Sequence, residues 1–330
     1  MTAAATPGVR TPGLGLTHGL PPGLTPGLTL GPILFNWPAA RWRDFYARIA
    51  DEAPVDRVAV GEVVCSKRMP FLVDEFAPAI ERLQRAGKTV WLSSLALPTL
   101  ARERALLQEL MAIPGVLIEA NDVSVLARLA GRPHAIGPLV NVYNEGTLAC
   151  LARLGAVHVC LPPELPRSAA ARLAGAAAAG GPDVAIEVWA FGRAPLAISA
   201  RCYHARLLGL SKDTCQMVCG RDADGLAVDT LDAQKFVAIN GVQTLSHACV
   251  NLAAEVGQLA GDGVASFRLS PHDIDMVAVA ALFRDVIDRR IEGRQAAAHL
   301  ERLAPFAAPC NGFLYGEPGY RRIGEGVRAT

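Results

Sequence analysis

The residues best suited to chemistry are cysteines, and they are spread unevenly over the 330-residue chain. Three of them, Cys202, Cys215 and Cys219, lie close together in the sequence. Only three residues separate Cys215 from Cys219, so one helical turn or one tight loop would let both thiols face a common centre. The best fourth partner is Cys65, in a motif that lies just past the carboxyl end of the second predicted strand. Cys310 is the only rival for that position and ranks below it.

These four cysteines predict a metal centre, because four thiolates suit either a tetrahedral zinc ion or a [4Fe-4S] cluster. Structural zinc usually takes two paired knuckles, whereas one isolated ligand plus an asymmetric group of three is more typical of iron–sulfur ligation. A [4Fe-4S] cluster is therefore the favoured interpretation, with zinc and unrelated free thiols as the alternatives. Basic neighbours of the cysteines could donate hydrogen bonds to sulfur or offset the negative charge of a cluster. They are Lys67, Arg68, Arg201, Arg206 and Lys212.

The remaining cysteines have apolar neighbours and are interpreted as small packing residues. Cys150 and Cys249 lie in predicted helices, and Cys160 lies in a predicted apolar strand. Cys310 joins this group if Cys65 is the fourth ligand.

Composition excludes several classes of protein. The formal net charge is +1, from 32 Lys+Arg against 31 Asp+Glu, so the chain lacks the basic excess of a protein that binds duplex nucleic acid through phosphates. No apolar run approaches the roughly 18 to 20 residues that span a bilayer, so no transmembrane segment is predicted. The first residues lack the pattern of a secretory signal, which predicts a cytoplasmic protein with reduced thiols.

Common catalytic motifs are also missing from the sequence. There is no glycine-rich dinucleotide or phosphate loop, no H-E-x-x-H zinc motif and no G-x-S-x-G nucleophile elbow. The sequence therefore carries none of the usual signatures of nucleotide hydrolysis, zinc-dependent proteolysis or esterase activity. No peptidase activity is predicted.

The elements that must position the cysteines follow from alternating patterns. Short apolar or β-branched runs alternate with amphipathic helical stretches, which predicts parallel βαβ units. Eight runs favour a closed, TIM-like β/α barrel; a doubly wound open sheet is the alternative fold. The runs span residues 33–36, 56–61, 89–94, 116–120, 134–140, 157–161, 184–191 and 265–269.

Two segments depart from this alternation. Residues 1–29 repeat Thr-Pro-Gly-Leu variants and are predicted to form a disordered leader, leaving 30–330 as a single barrel-like domain. Between about 200 and 245 the pattern is interrupted by the cysteine-bearing segment and by three short runs. We interpret this part as an insertion with small antiparallel hairpins; its runs span 226–228, 236–239 and 242–245.

Polar residues at the predicted carboxyl ends of strands would point into the barrel mouth, where barrel sites are built. Several of them could instead cap the next helix, as Asn121 or Asp122 would. His204 is a candidate proton relay, although a partly exposed structural histidine is the favoured interpretation. Trp37, Trp91 and Trp189 are interpreted as core residues. The candidate mouth residues are Asn36, Glu62, Ser93, Glu119, Asn121, Asn141, Glu164 and Ser270.

At this point the sequence resembles the family historically called collagenase-like peptidases, in its branch of ubiquinone biosynthesis. The likeness extends over residues 30–270 and resumes weakly at 310–312. The segments that carry it are LGPIL (30–34), GEVVCSKR (61–68), SLAL (94–97), IEAND (118–122), SARC (199–202), KDTC (212–215), NGVQT (240–244) and RLSP (268–271).

The resemblance implies a subunit that works with a paralogue in a heterodimer, each carrying a [4Fe-4S] cluster. The pair would hydroxylate the aromatic ring of polyprenylated phenolic ubiquinone precursors without molecular oxygen, with prephenate as a possible oxygen donor and a lipid-carrying partner. The family motifs assign the cluster to Cys65, Cys202, Cys215 and Cys219. Hydroxylation of RNA bases, as in relatives, and a non-catalytic iron–sulfur scaffold or electron relay are the alternative functions. The region after residue 270 matches the family poorly, which leaves any partner contacts there open.

Overall fold

The computed structural model describes residues 25–129, 131–178 and 183–324. Its strands are β1 Gly27–Leu30, β2 Arg57–Val60, β3 Thr89–Ser93, β4 Leu117–Ala120, β5 His134–Ile136, β6 Ala156–Cys160, β7 Ala185–Ile198, β8 Leu226–Asp229, β9 Lys235–Asn240, β10 Gln243–Asn251, β11 Ser266–Leu269 and β12 Pro309–Cys310. Its α-helices are α1 Ala39–Glu52, α2 Val73–Arg85, α3 Ala101–Leu110, α4 Val123–Leu129, α5 Glu145–Arg153, α6 Arg167–Ala178, α7 Tyr203–Leu207, α8 Val256–Gly261, α9 Met276–Ile287 and α10 Gly293–Leu303.

Eight of the strands form a closed parallel barrel. Strands β1 to β7 pair in sequence order, β7 pairs with β11, and β11 returns to β1. Gly27 is opposite Ser266 and Leu30 is opposite Leu269, and these pairs close the barrel. Helices lie between successive strands, so the predicted TIM-like β/α barrel is confirmed.

The helices bury one apolar face each, as the sequence periodicity requires. In α2 the buried residues Phe76, Ile80 and Leu83 lie about one turn apart, while acidic side chains occupy its first turn and arginines its last turn. This arrangement complements the helix dipole at both ends. Within the described residues, no helix is long and apolar enough to cross a bilayer.

The cysteine-bearing insertion is built on an extension of β7. The first half of this 14-residue strand belongs to the barrel, and the second half continues beyond it to pair antiparallel with β10. Strands β9 and β8 follow β10 in antiparallel order. The predicted hairpins at 226–228, 236–239 and 242–245 correspond to β8, β9 and the start of β10.

The predicted start of the barrel was wrong. The first strand is Gly27–Leu30, whereas the sequence placed a strand at 33–36 and a disordered leader up to residue 29. Leu28, Thr29 and Leu30 are fully buried, and the Thr29 hydroxyl contacts the Ser266 hydroxyl across the barrel seam at 3.1 Å. The first 24 residues of the predicted leader lie outside the described part of the chain.

Candidate functional site

Cys65 lies in the loop that follows β2. Gly61, with φ of +136°, ends the strand and turns the chain. The buried Glu62 carboxylate then accepts the backbone N–H groups of Val64 and Cys65 at 2.7 and 2.8 Å. These bonds hold the half-buried Cys65 just before a 3₁₀ helix, Ser66–Phe71. The thiol is thus fixed at the carboxyl end of a barrel strand.

The other three predicted ligands lie in the insertion. Cys202 precedes α7, and its sulfur accepts the N–H of Ala205 at 3.4 Å. Cys219 lies in the 3₁₀ helix Val218–Arg221, which packs against α7. Between Cys215 and Cys219 the chain passes through two consecutive residues of positive φ, Gln216 and Met217. A tight loop, not a helical turn, therefore connects this pair.

Arg68 joins the two cysteine-bearing segments. Its side chain is fully buried. The guanidinium donates to the Leu34 carbonyl at 2.7 Å, to Asn240 Oδ1 at 2.9 Å and to the Cys219 sulfur at 3.6 Å. It also lies 3.7 Å from the Glu62 carboxylate. A buried cation therefore contacts one predicted ligand and the carboxylate that positions another.

A second contact fixes the two segments together. The ammonium group of Lys67 donates to the backbone carbonyl of Lys212 at 2.5 Å and lies 3.7 Å from the Asp213 carboxylate. Lys212 is three residues before Cys215. The loop that holds Cys65 is thus attached next to the loop that holds Cys215.

Burial and neighbouring charges act on two of the four candidate cysteines. Burial raises the pKa of the Cys65 thiol, and Arg68 opposes that rise. Burial also raises the pKa of Cys202; Cys219 and Cys215 raise it further, while the Ala205 N–H and Arg68 lower it. A nearby cation or metal would favour the thiolate form of these buried cysteines.

The candidate cysteines are not arranged to bind a single metal ion. Within the described residues, no three His, Cys, Asp or Glu side chains are placed to hold one metal ion. The donor set nevertheless fits an iron–sulfur cluster in kind, since it offers thiols from two segments and a buried guanidinium that donates to sulfur.

Three of the eight predicted mouth residues line a small cavity at the carboxyl end of the barrel. Glu119, Asn121 and Ser270 share its wall with Gln243 and Arg268. The cavity measures about 20 Å³, which is room for one water molecule. Of the other candidates, Ser93 donates to Glu119 at 2.5 Å, and Glu62 lies beside Arg68.

The last three candidates do not converge on this cavity. Asn36 contacts the backbone carbonyl of Met217 at 3.5 Å, next to the cysteine loop. Asn141 is exposed, in a left-handed conformation at the end of a short 3₁₀ helix. Glu164 accepts a hydrogen bond from the exposed Tyr143. Asn121 does not cap α4, because Asp122 accepts the N–H of Ser124 at 2.8 Å.

Sequence reasoning missed the charged interior of the barrel. Arg268 is buried, and its guanidinium contacts the carboxylates of Glu119 and Glu187 at 2.5 Å each. Glu187 also accepts from the Ser266 hydroxyl at 2.9 Å and lies 3.2 Å from His158 Nε2. Despite its burial, the pKa of Glu187 is well below its usual value, because Arg268 and His158 stabilise the charged form. The signal available in the sequence was a single charged residue in each of two apolar runs, Glu187 in 184–191 and Arg268 in 265–269.

Two further donors near the mouth have no acceptor among the described residues. They are Trp189 Nε1 and Gln243 Nε2. Trp189 was interpreted as a core residue, and it is buried, as are Trp37 and Trp91. A buried N–H group without an acceptor costs free energy unless water or a ligand pairs with it.

The remaining predictions concern single residues. His204 is buried and lies 3.0 Å from Asp222, so the partly exposed histidine predicted here was wrong. Cys150 is exposed, although it was predicted to pack in the core. Cys249 is buried as predicted, but in strand β10 instead of a helix. Cys160 and Cys310 are both buried.

The family model of peptidase family U32 matches residues 41–324, which include all four candidate cysteines and all the candidate mouth residues except Asn36. The chain belongs to peptidase family U32. The predicted membership of the collagenase-like peptidases is thereby confirmed at the level of the family.

Solved structures similar to this U32 chain have low identity to it. Tryptophan synthase of Mycobacterium tuberculosis is 14% identical, with a TM-score of 0.40 over 86% of this chain and 93% of that chain. Phospho-2-dehydro-3-deoxyheptonate aldolase of Thermotoga maritima is 9% identical, with a TM-score of 0.39 over 86% of this chain and 72% of that one. At these values the likeness carries no inference about the chemistry of the U32 chain.

Proposed function

We propose that this U32 chain is the UbiV-like, iron–sulfur subunit of a UbiU–UbiV-type complex for oxygen-independent ring hydroxylation in ubiquinone biosynthesis. The observation that carries the proposal is the gathering of two cysteine-bearing segments around buried Arg68, which contacts Cys219 at 3.6 Å. The ordered UbiV-like motifs support the same assignment, because they contain Cys65, Cys202, Cys215 and Arg68.

In this proposal Cys65, Cys202, Cys215 and Cys219 hold a [4Fe-4S] cluster, which supplies one-electron transfer when bound. The chain's own residues position the ligands. Glu62 fixes the backbone at Cys65 through its two accepted N–H groups. Arg68 donates to sulfur, which stabilises negative charge on the thiolate.

The proposed partners follow from the same assignment. A UbiU-like paralogue would complete a heterodimer, and a lipid-carrying partner would present the polyprenyl-phenol substrate. Prephenate is the proposed oxygen donor. The net charge of +1 supports the quinone pathway over an RNA substrate, because a chain that binds RNA without a partner needs a basic surface.

Anaerobic purification tests the cofactor directly. We expect a brown protein with a broad visible absorption band, about four iron and four sulfide per chain, and a paramagnetic signal after reduction. A colourless protein with stoichiometric zinc would contradict the proposal. A deletion strain grown without oxygen then separates the pathways, since it should lose ubiquinone and keep its RNA modifications.

Paired substitutions test the ligand assignment. Cys65→Ala should lose most of the bound iron, because one of four thiolates is removed. Cys150→Ala is the matched control, because Cys150 is an exposed cysteine on α5. Iron is counted per folded chain after gel filtration. Equal iron in the two variants would refute Cys65 as a ligand.

A further inference from the structure

A large cavity lies beside the loop that carries Cys202. It measures about 600 Å³, and its wall is formed by residues of the segment 200–212, including Arg201, Cys202, Arg206 and Lys212. The cavity at the barrel mouth, by comparison, measures about 20 Å³. Small-molecule sites usually fall between about 300 and 1,000 Å³. The space beside Cys202 is therefore large enough for a metabolite.

The charged side chains that line this cavity are all positive. The segment 200–212 contains three cationic residues and no Asp or Glu. Within the described residues, the side chains of Arg201, Arg206 and Lys212 form no hydrogen bond or ion pair, and Lys212 acts on Glu103 and Cys65 only at longer range.

Two carboxylates near this segment have other partners. The carboxylate of Asp213 is almost fully exposed and lies 3.7 Å from Lys67. The carboxylate of Asp222 lies 3.0 Å from His204 Nε2. Three cations consequently line one concave surface without a carboxylate among them.

The backbone holds the wall in a defined shape. Helix α7 ends at Leu207, and Gly209, two residues later, has a φ of +71°. The N–H of Gly209 donates to the Arg206 carbonyl at 3.0 Å, and the N–H of Leu210 donates to the Ala205 carbonyl at 2.9 Å. This pair of bonds is the pattern of a helix that ends in a left-handed glycine. At the other end, Lys67 holds the Lys212 carbonyl.

We propose that this cavity binds a small polyvalent anion, a di- or tricarboxylate or a phosphate compound, next to Cys202. Arg201 and Arg206 supply planar guanidinium groups, which bind carboxylate and phosphate oxygens in pairs. Lys212, which also lines the cavity, adds a third charge. The proposal goes beyond the iron–sulfur function and stands without it, because anion binding is measured independently of activity.

The competing explanation is that the three cations serve only to offset thiolate charge. Both explanations predict a basic surface, but only the proposal predicts a saturable site for a free anion. Iron content and anion binding must therefore be measured on the same samples.

The test is isothermal titration of the full-length, anaerobically purified protein at low salt. The ligands are citrate, malonate and inorganic phosphate in separate titrations, with chloride as the monovalent reference. The variant is Arg201→Gln/Arg206→Gln, and the control is Arg128→Gln, an exposed arginine on α4. The ligand that binds most tightly shows whether the site prefers carboxylate or phosphate.

We expect one site per chain for at least one polyvalent anion. Loss of two charge-assisted contacts should weaken it about tenfold or more in the double variant and leave the control unchanged. Binding should also weaken as potassium chloride is added.

Two results would overturn the proposal: no saturable binding of any of these anions, or equal binding by the double variant. If the double variant loses iron as well as anion binding, wild-type protein stripped of iron is titrated. Retained binding there assigns the loss to the arginines, and lost binding rejects the site.

Discussion

Arg68 has no contact with solvent, and it is surrounded by groups that accept hydrogen bonds. Its partners come from four separate parts of the chain, namely Leu34, Glu62, Cys219 and Asn240. A neutral side chain here would leave the buried Glu62 carboxylate with only backbone donors. Removing one member of a buried ion pair usually costs more than the pair contributes.

Arg68→Met should therefore lower the free energy of unfolding by about 3–5 kcal/mol. Adding Glu62→Gln to the same variant should recover part of the loss, because the unpaired charge is removed. The measurement is urea denaturation of all three proteins. Arg128→Met, at an exposed position, serves as the control and should change stability little. A double variant less stable than Arg68→Met would show that the carboxylate is not the source of the cost.

Among the elements, the turn after β2 has a strict backbone requirement. Gly61 has a φ of +136°, and a Cβ atom added there would lie 2.5 Å from the Ser93 carbonyl oxygen. Gly87 also has a positive φ, of +79°, but a Cβ atom there meets nothing within 4 Å. The two glycines thus separate steric overlap from conformational strain.

Gly61→Ala should cost clearly more stability than Gly87→Ala. The second change carries only the left-handed penalty, about 1–2 kcal/mol, whereas the first adds overlap with β3 and displaces the Cys65 loop. Thermal unfolding of both variants, with iron content determined in parallel, measures the difference. Equal melting temperatures would mean that β3 moves away without cost.

His272 connects the end of β11 to the insertion. Its Nε2 accepts the N–H of Arg193 at 3.0 Å, its Nδ1 lies 2.9 Å from Asp224, and its ring stacks on Phe306. A proton on Nε2 would face the Arg193 N–H, so the structure holds the neutral ring. Burial accordingly lowers the pKa of His272 below 6.5.

This contact predicts a loss of stability in acid. The unfolded chain binds a proton at about pH 6.5, while folded His272 does not, so stability is complete above that pH and falls as the pH drops towards the lowered pKa. Burial lowers the pKa of His158 as well and adds to the same trend. Urea midpoints at pH 7.5 and 5.5 measure the slope, at most about 1.4 kcal/mol per pH unit for one group. His272→Gln should flatten the slope, and His299→Gln should not.

At the scale of the whole molecule, the barrel encloses a charged centre. Arg268 on β11 bridges Glu119 on β4 and Glu187 on β7, so strands on different sides of the barrel meet at one guanidinium. All three side chains are buried.

Arg268→Met should destabilise the barrel by at least about 3–5 kcal/mol, because two carboxylates lose their partner. The triple variant Arg268→Met/Glu119→Gln/Glu187→Gln should be more stable than the single one. Guanidinium chloride unfolding, followed by far-ultraviolet circular dichroism, checks both. If the triple variant is no more stable, packing volume and not charge governs this position.

Most of the barrel was predictable because its strands are short apolar runs between helical patterns. The first strand was not, because Gly27 and Thr29 continue the Thr-Pro-Gly-Leu repeat and conceal it. Periodicity also failed at Cys150, which lies two residues after buried Leu148 and therefore points to the other side of α5.

For the site, residue type and spacing predicted the four cysteines, and the structure brings their segments close together. The charged interior could not be predicted in the same way. The sequence of a strand such as β11 does not reveal which of its side chains face the barrel centre. The side chain of Arg268 could equally have faced outward. Likewise, the cavity beside Cys202 depends on the turn after α7, which spacing alone does not determine.

The seam between β1 and β11 has a consequence for synthesis of the protein. The Ser266 hydroxyl donates to the Gly27 carbonyl across 239 positions of the chain. At about 5–20 residues per second, a ribosome needs roughly 10–50 s to make that stretch. During this interval β1 has β2 available on one side and an open hydrogen-bonding edge on the other. Nascent chains would therefore depend on chaperones to shield this edge from other nascent chains until β11 emerges.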